Sequence, residues 1–259
     1  MSTRLAPALA ALRASQRKGL IAFLTAGDPS LERTASLALE MEEAGVDVLE
    51  LGVPFSDPLA DGPVIQRSSE RALRAGVTLD SVLRLVAQLR RRSALPIVLF
   101  TYYNPLLRYG LARAAAAAAD AGVDGVLVTD LPPEEAEEWV GVARAAGLDT
   151  IFLASPTSPD ERLRRVASLS RGFVYAISRT GVTGEQERIS ADAGPLLERL
   201  RALTDEPLAL GFGISSPGQV AEAARLADAV VVGSALVRFL EEQPRADVAE
   251  RVRWLKSAM

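Results

Sequence analysis

Ala44-Gly45-Val46-Asp47 runs directly into Val48-Leu49-Glu50-Leu51, and this joint recurs along the chain. Ala121-Gly122-Val123-Asp124 precedes Gly125-Val126-Leu127-Val128, and Ala146-Gly147-Leu148-Asp149 precedes Thr150-Ile151-Phe152-Leu153. In each case a helical pattern stops at a glycine suited to the left-handed position after a helix, and a short apolar run follows. A helix-to-strand joint repeated in this way implies serial βα units, and therefore a parallel sheet.

Working outward, eight apolar runs read as strands: 20–24, 48–51, 97–101, 125–129, 150–154, 173–177, 208–210 and 229–232. Helical patterns separate them. One spans 30–44, opened by Ser30 and followed by Glu32; others are predicted over 133–146, 159–169 and 217–225, each with proline at its start. Eight alternations favour a single (β/α)8 TIM barrel over residues 1–259. An open doubly wound sheet is the alternative, but no Gly-x-Gly-x-x-Gly follows the first strand. Leu5, Leu9 and Leu12 form one face of an extra N-terminal helix. The second unit, from Val48 to Ile97, takes 49 residues and the sixth, from Phe173 to Leu208, takes 35. Both exceed a bare βα unit, so long βα loops 2 and 6 are expected at the rim where barrels build their active sites.

Composition then excludes chemistry. The 259 residues include no cysteine and no histidine. Thiol nucleophiles, thiolate or imidazole metal sites and His-based triads are therefore ruled out. Only Lys18 and Lys256 are lysines, so 27 of the 29 basic residues are arginines, which stay protonated. Proton transfer falls to Asp, Glu, Tyr or water. A net charge of −4 without a clustered basic face argues against a nucleic-acid partner. No apolar run reaches membrane-spanning length, and a cytoplasmic location is expected.

Within this frame Glu50 stands out. Alternation points it away from the face of Leu49 and Leu51, in a strand covered on both sides. A carboxyl there has its pKa raised by burial, which suits general acid–base work; a structural pair with an arginine is the alternative. Asp61 lies in the long loop just beyond, in Asp57-Pro58-Leu59-Ala60-Asp61-Gly62-Pro63. Asp beside Pro and Gly is ordinarily turn chemistry, and Asp28 and Asp130 are read as turn or cap residues. The two carboxyls, one on a strand and one on a loop, are able to serve different roles. At the other end of the sheet, Gly211-Phe212-Gly213-Ile214-Ser215 and Gly233-Ser234-Ala235 bring backbone N–H groups and helix starts to one place. Such an arrangement suits a phosphate, or simply a tight turn. Ser178-Arg179-Thr180-Gly181-Val182-Thr183-Gly184 reads as a lid or an ordinary surface loop. Phe23, Phe100, Leu127, Leu153, Tyr175 and Phe212 offer an apolar, aromatic rim.

At these residues the sequence resembles the α subunit family of tryptophan synthase. The run from Leu49 to Pro63 matches that family's signature unbroken, and Phe23-Leu24-Thr25-Ala26-Gly27-Asp28-Pro29, the 178–184 segment and Gly211–Ser215 also match, in order and at similar separations. The resemblance implies retro-aldol cleavage of indole-3-glycerol phosphate to indole and glyceraldehyde 3-phosphate. It implies Glu50 as general acid–base and Asp61 as acceptor of the indole N–H. Tyr175 would line the site, and Phe100 sits at a pocket position. Thr183 would meet Asp61, and Gly184, Gly213, Gly233 and Ser234 would hold the phosphate. It also implies no cofactor on this chain, a partner β subunit carrying pyridoxal phosphate, and an α2β2 assembly. Two readings stay beside it: another phosphosugar enzyme, and a barrel kept to bind and activate a partner.

Overall fold

A computed structural model describes residues 3–177, 190–211 and 213–259. Among these, nine strands form one parallel sheet: β1 (Gly19–Thr25), β2 (Val48–Gly52), β3 (Ile97–Thr101), β4 (Gly125–Val128), β5 (Asp149–Ile151), β6 (Leu153–Ala154), β7 (Val174–Ile177), β8 (Leu208–Gly211) and β9 (Ala229–Val232). Their order is β5-β4-β3-β2-β1-β9-β8-β7-β6. The two ends of that order, β5 and β6, are consecutive in the chain and separated only by Phe152. The Tyr175 N–H donates to the Phe152 carbonyl at 3.1 Å, so the sheet closes on itself there. The expected eight strands are thus present, with the fifth divided.

Twelve described helices accompany the sheet: α1 (Leu5–Ala14), α2 (Leu31–Glu43), α3 (Pro63–Arg74), α4 (Leu79–Leu89), α5 (Tyr103–Tyr109), α6 (Leu111–Ala121), α7 (Glu137–Ala145), α8 (Asp160–Leu169), α9 (Ala193–Arg201), α10 (Pro217–Leu226), α11 (Ser234–Glu242) and α12 (Val248–Lys256). No described helix is long and apolar enough to cross a membrane. The extra chain of the second unit is a whole helix, α3, inserted before α4 behind the 53–62 loop. The extra chain of the sixth unit lies largely outside the described residues. The helix expected from Pro133 begins only at Glu137. A turn intervenes, with the Glu135 N–H on the Pro132 carbonyl at 3.0 Å, and Arg165 draws off the Pro133 carbonyl at 2.8 Å.

Alternation sorts the strand side chains into two apolar clusters. Leu20, Leu24, Leu49, Leu51, Ile97 and Leu99 face the helices. Ile21, Val48, Val98, Leu127, Ile151, Phe173 and Val231 fill the barrel. Leu5, Leu9 and Leu12 of α1 join this inner cluster, and the sequence-predicted apolar stripe therefore closes the N-terminal end of the barrel.

The joints that announced the fold have a specific job. Gly45, Gly122 and Gly147 all sit at positive φ, between 82° and 98°, as the left-handed reading requires. Two of the aspartates that follow solvate the neighbouring strand, while Asp149 takes the Thr3 hydroxyl at 2.6 Å. Asp47 accepts the Leu20 N–H at 2.8 Å, and Asp124 accepts the Ile97 N–H at 2.9 Å. Asp228, before β9, repeats the device on the Leu208 N–H at 2.9 Å. These first strand N–H groups would otherwise be buried without partners. Asp124, only 1% exposed, also takes Arg90 Nη2 at 2.6 Å and both the N–H and guanidinium of Arg4.

Removing this carboxylate strands a buried guanidinium and a strand N–H. Asp124→Ala is expected to lower stability by about 3–5 kcal/mol, the usual cost of breaking a buried ion pair from one side. Urea unfolding followed by circular dichroism measures it.

Candidate active site

β2 carries Glu50 at its centre, where the register pairs it with Phe23 of β1 and Val98 of β3. Its neighbours Leu49 and Leu51 face the helices, so Glu50 faces inward, as alternation predicts. It is 1% exposed, and among the described residues Oε1 has no hydrogen-bond partner. Burial pushes its carboxyl up to about 8, so the acid form predominates at neutral pH. An arginine pair, the alternative reading, is not made among the described residues.

Asp61 closes the 53–62 loop immediately before α3. Its N–H donates to the Pro58 carbonyl at 3.0 Å, and its carbonyl accepts Gln66 Nε2 at 2.8 Å, which holds the backbone on both sides. Its carboxyl is 5% exposed and accepts the Tyr102 hydroxyl at 2.9 Å. Burial raises its pKa to about 6, against the lowering effect of that hydrogen bond. Tyr102 in turn accepts the Ala60 N–H at 3.1 Å and packs on Phe55, with ring centroids 5.1 Å apart. Burial beside Asp61 keeps its phenol protonated. The sequence reading missed Tyr102, although parity with Val98 and Phe100 at the end of β3 was available to find it.

Glu50 and Asp61 line one cavity at the C-terminal ends of the strands. Phe23, Phe100 and Tyr175 form its aromatic wall, with Phe23 and Phe100 edge-to-face at 5.3 Å. Two glycines make room for these rings. A Cβ on Gly52 would lie 2.5 Å from Phe23 Cζ, and one on Gly211 would lie 2.4 Å from the Tyr175 hydroxyl oxygen. The Tyr175 phenol, buried near both carboxyls, stays protonated.

Gly213, Gly233, Ser234 and Ala235 line the opposite side. The two nearby helix starts differ. At α10, Ser216 and Gln219 form a reciprocal capping box, and Gln219 Oε1 also takes the Ser215 N–H at 2.9 Å. At α11, Gly233 is the N-cap and no side-chain cap forms. The start of α11, with Ser234 and Ala235 in the cavity wall, therefore presents the positive end of the helix dipole there, a place for an anion, while the Leu236 N–H is held by the Gly233 carbonyl at 2.9 Å.

Of the other residues singled out, Leu127 is fully buried in the barrel interior beside Phe100 and does not line the cavity. Thr183, Gly184 and Phe212 lie outside the described residues. Ile65, Ile214 and Val231 line the cavity without having been anticipated. Asp130 caps α5 through the Tyr103 N–H at 2.7 Å, as a cap reading requires. Asp57 accepts the Ser56 hydroxyl at 2.6 Å in an exposed turn. Asp28 is not simply a turn residue, since it receives both arms of Arg71.

The profile of the tryptophan synthase alpha chain family matches residues 9–258. The tryptophan synthase alpha chain of Solibacter usitatus is 54% identical over 248 residues, covering 96% of this chain and 93% of that protein. That of Geotalea uraniireducens is 50% identical over 257 residues, covering 99% and 96%. Among solved structures, Mycobacterium tuberculosis tryptophan synthase superposes with a TM-score of 0.92 at 39% identity, covering 100% of this chain and 98% of that one. Tryptophan synthase subunit alpha from Legionella pneumophila gives 0.90 at 36% identity, covering 100% and 97%.

The buried carboxyl has a signature in stability. The folded chain holds the Glu50 proton up to about pH 8, whereas the unfolded chain releases it near 4.5, so stability from this group is lost as pH rises through that window. Glu50→Gln is therefore expected to be more stable than the parent, with the gap growing from pH 5 to pH 9. Thermal unfolding of both proteins across this range checks it.

Proposed function

The chain belongs to the tryptophan synthase alpha chain family and cleaves indole-3-glycerol phosphate to indole and glyceraldehyde 3-phosphate, and we propose that Glu50 and Asp61 carry this reaction. The observation that carries the assignment is the pairing of two buried carboxyls with different proton affinities in one aromatic-walled cavity. Glu50 enters as the acid. It delivers its proton to C3 of the indole ring, which places positive charge on the ring nitrogen. Asp61 enters as the carboxylate, accepts the ring N–H and stabilises that charge, with Tyr102 holding its other oxygen. The Glu50 carboxylate then takes the proton of the glycerol hydroxyl beside the bond to be broken. As that C–O becomes a carbonyl, the C–C electron pair returns to the ring and neutralises it. Indole and glyceraldehyde 3-phosphate result, and Glu50 regains its proton.

Phe23, Phe100 and Tyr175 flank the ring in this reading, and Gly213, Gly233 and Ser234 hold the phosphate at the uncapped start of α11. Thr183 and Gly184 are assigned to the site by family resemblance, and Phe212 by the apolar rim that the sequence offers.

The chain works with a tryptophan synthase β subunit. We assign pyridoxal phosphate to that subunit. Both lysines of this chain are engaged at the opposite end of the barrel, Lys18 on the Ala227 carbonyl at 2.8 Å and Lys256 on Asp47 at 2.8 Å and the Gly45 carbonyl. An α2β2 assembly and a cytoplasmic location belong to the same reading. Leu59, 86% exposed in the 53–62 loop, and Leu107, 55% exposed on α5, are the apolar side chains offered for the partner.

Glu50→Gln and Asp61→Asn are each expected to reduce indole release by 10²-fold or more, the scale of general acid–base catalysis, while glycerol phosphate binding persists. Turnover assays with and without the β subunit test this; near-normal turnover would overturn the assignment. The pH profile of kcat/KM should be a bell with limbs near 6, for ionising Asp61, and near 8, for deprotonating Glu50. Tyr102→Phe removes the hydrogen bond that favours the Asp61 carboxylate, and should move the acid limb upward while leaving the other in place.

A further inference from the structure

α3 and α11 both begin at the cavity and run away from it. The start of α3 carries Asp61, through Gly62 at its N-cap, and the start of α11 presents Ser234 and Ala235. A substrate gripped at its ring by one and at its phosphate by the other needs their separation held constant. Apolar packing between them is slight: Val64 and Ile65 meet Val237 and Phe23 in a cluster of four buried residues. Farther from the cavity, a pocket open to solvent lies between Arg71 of α3 and Glu241 of α11, beside Leu37 of α2 and Leu240 of α11, so apolar side chains do not bridge the two helices there.

Ion pairs occupy this gap. Arg71 of α3 grips both oxygens of Asp28, in the loop after β1, at 2.8 and 2.7 Å. Its remaining nitrogen reaches Glu241 of α11 at 2.7 Å. Arg67, one turn earlier on the same face of α3, grips both oxygens of Glu241 at 3.0 and 2.7 Å. The charges alternate along the chain Asp28–Arg71–Glu241–Arg67 and sum to zero. Both forks are bidentate, and the Asp28 side chain is only 12% exposed. That geometry separates this network from an isolated surface pair.

We propose that Arg71 is a positioning residue for the cleavage reaction: by tying α3 to α11 and to the loop after β1, it sets the distance between Asp61 and the phosphate-binding start of α11. The proposal rests on the roles assigned above to Asp61 and to α11. Register between two subsites matters only for a ligand that spans both.

The test uses the chain assembled with its β subunit and three ligands: indole-3-glycerol phosphate, indole alone and glycerol 3-phosphate alone. In Arg71→Met, kcat/KM for the intact substrate is expected to fall about tenfold or more, chiefly in kcat, since misplacement by an ångström is costly in rate. Dissociation constants for the two halves, measured by calorimetry, stay within about twofold of the parent's, as positioning does not alter either subsite. Arg71→Lys, which keeps the charge but cannot fork, should recover part of the loss. Intact-substrate turnover within twofold of the parent overturns the proposal. So does an equal loss of both halves, which marks a role in folding alone. Where Arg71→Met does not fold, Glu241→Gln is read by the same criteria. Asp61→Asn measured alongside keeps the two readings apart. Normal turnover there defeats the role of Asp61, whereas an inactive Asp61→Asn beside an unaffected Arg71→Met defeats the positioning role alone.

Discussion

A carboxyl group in the wall of a closed parallel barrel has helices behind it and side chains in front, with almost no water to solvate its charge. Glu50 is in that position, and much of the architecture around it keeps the position intact. The barrel closes through the Phe152 carbonyl, α1 seals the far end with three leucines, and Phe23, Phe100 and Tyr175 wall the near end. Each of these exclusions of water raises the cost of the Glu50 anion. Together they hold the acid form at neutral pH without requiring any charged partner. The carboxyl oxygen without a hydrogen bond among the described residues is the visible cost of this arrangement.

Asp61 shows the same physics to a lesser degree. It too is buried, yet the Tyr102 hydroxyl solvates its charge, and its proton is held less tightly. A shorter, intrinsically more acidic side chain, less complete burial and one hydroxyl together separate a carboxylate from an acid inside a single cavity. The difference also follows from the supporting elements. Glu50 sits on a strand whose backbone is fixed by neighbours on both sides, whereas Asp61 sits where a loop enters a helix and depends on Tyr102, just after β3, and Gln66 of α3 to hold it.

Legibility followed locality. The glycine joints, strand runs and helix caps are encoded over a few residues by periodicity and backbone preference, and the strands were found close to their observed bounds. Where a long-range hydrogen bond competed, local reading erred: the helix expected at Pro133 starts later because Arg165 of α8 claims the Pro133 carbonyl. Asp28 was read as turn chemistry because its arginine partner is 43 residues away. Tyr102 went unnoticed because its partner Asp61 is 41 residues distant and no local pattern links them. Leu127 was grouped with the rim by its apolar character, but only depth within the barrel shows that it does not line the cavity.

By itself the sequence determined the repeated βα order, the inward face of Glu50 and the chemistry left open to a chain without histidine or cysteine. These follow from alternation, from glycine's access to positive φ and from composition, none of which needs a tertiary partner. The tertiary structure alone decided the proton affinities of the two carboxyls, the hydroxyl that meets Asp61 and the ion-pair chain behind the rim. Each of these depends on solvent exclusion or on a hydrogen bond between segments far apart in the chain. Such energies exist only once the barrel has closed and brought those segments together.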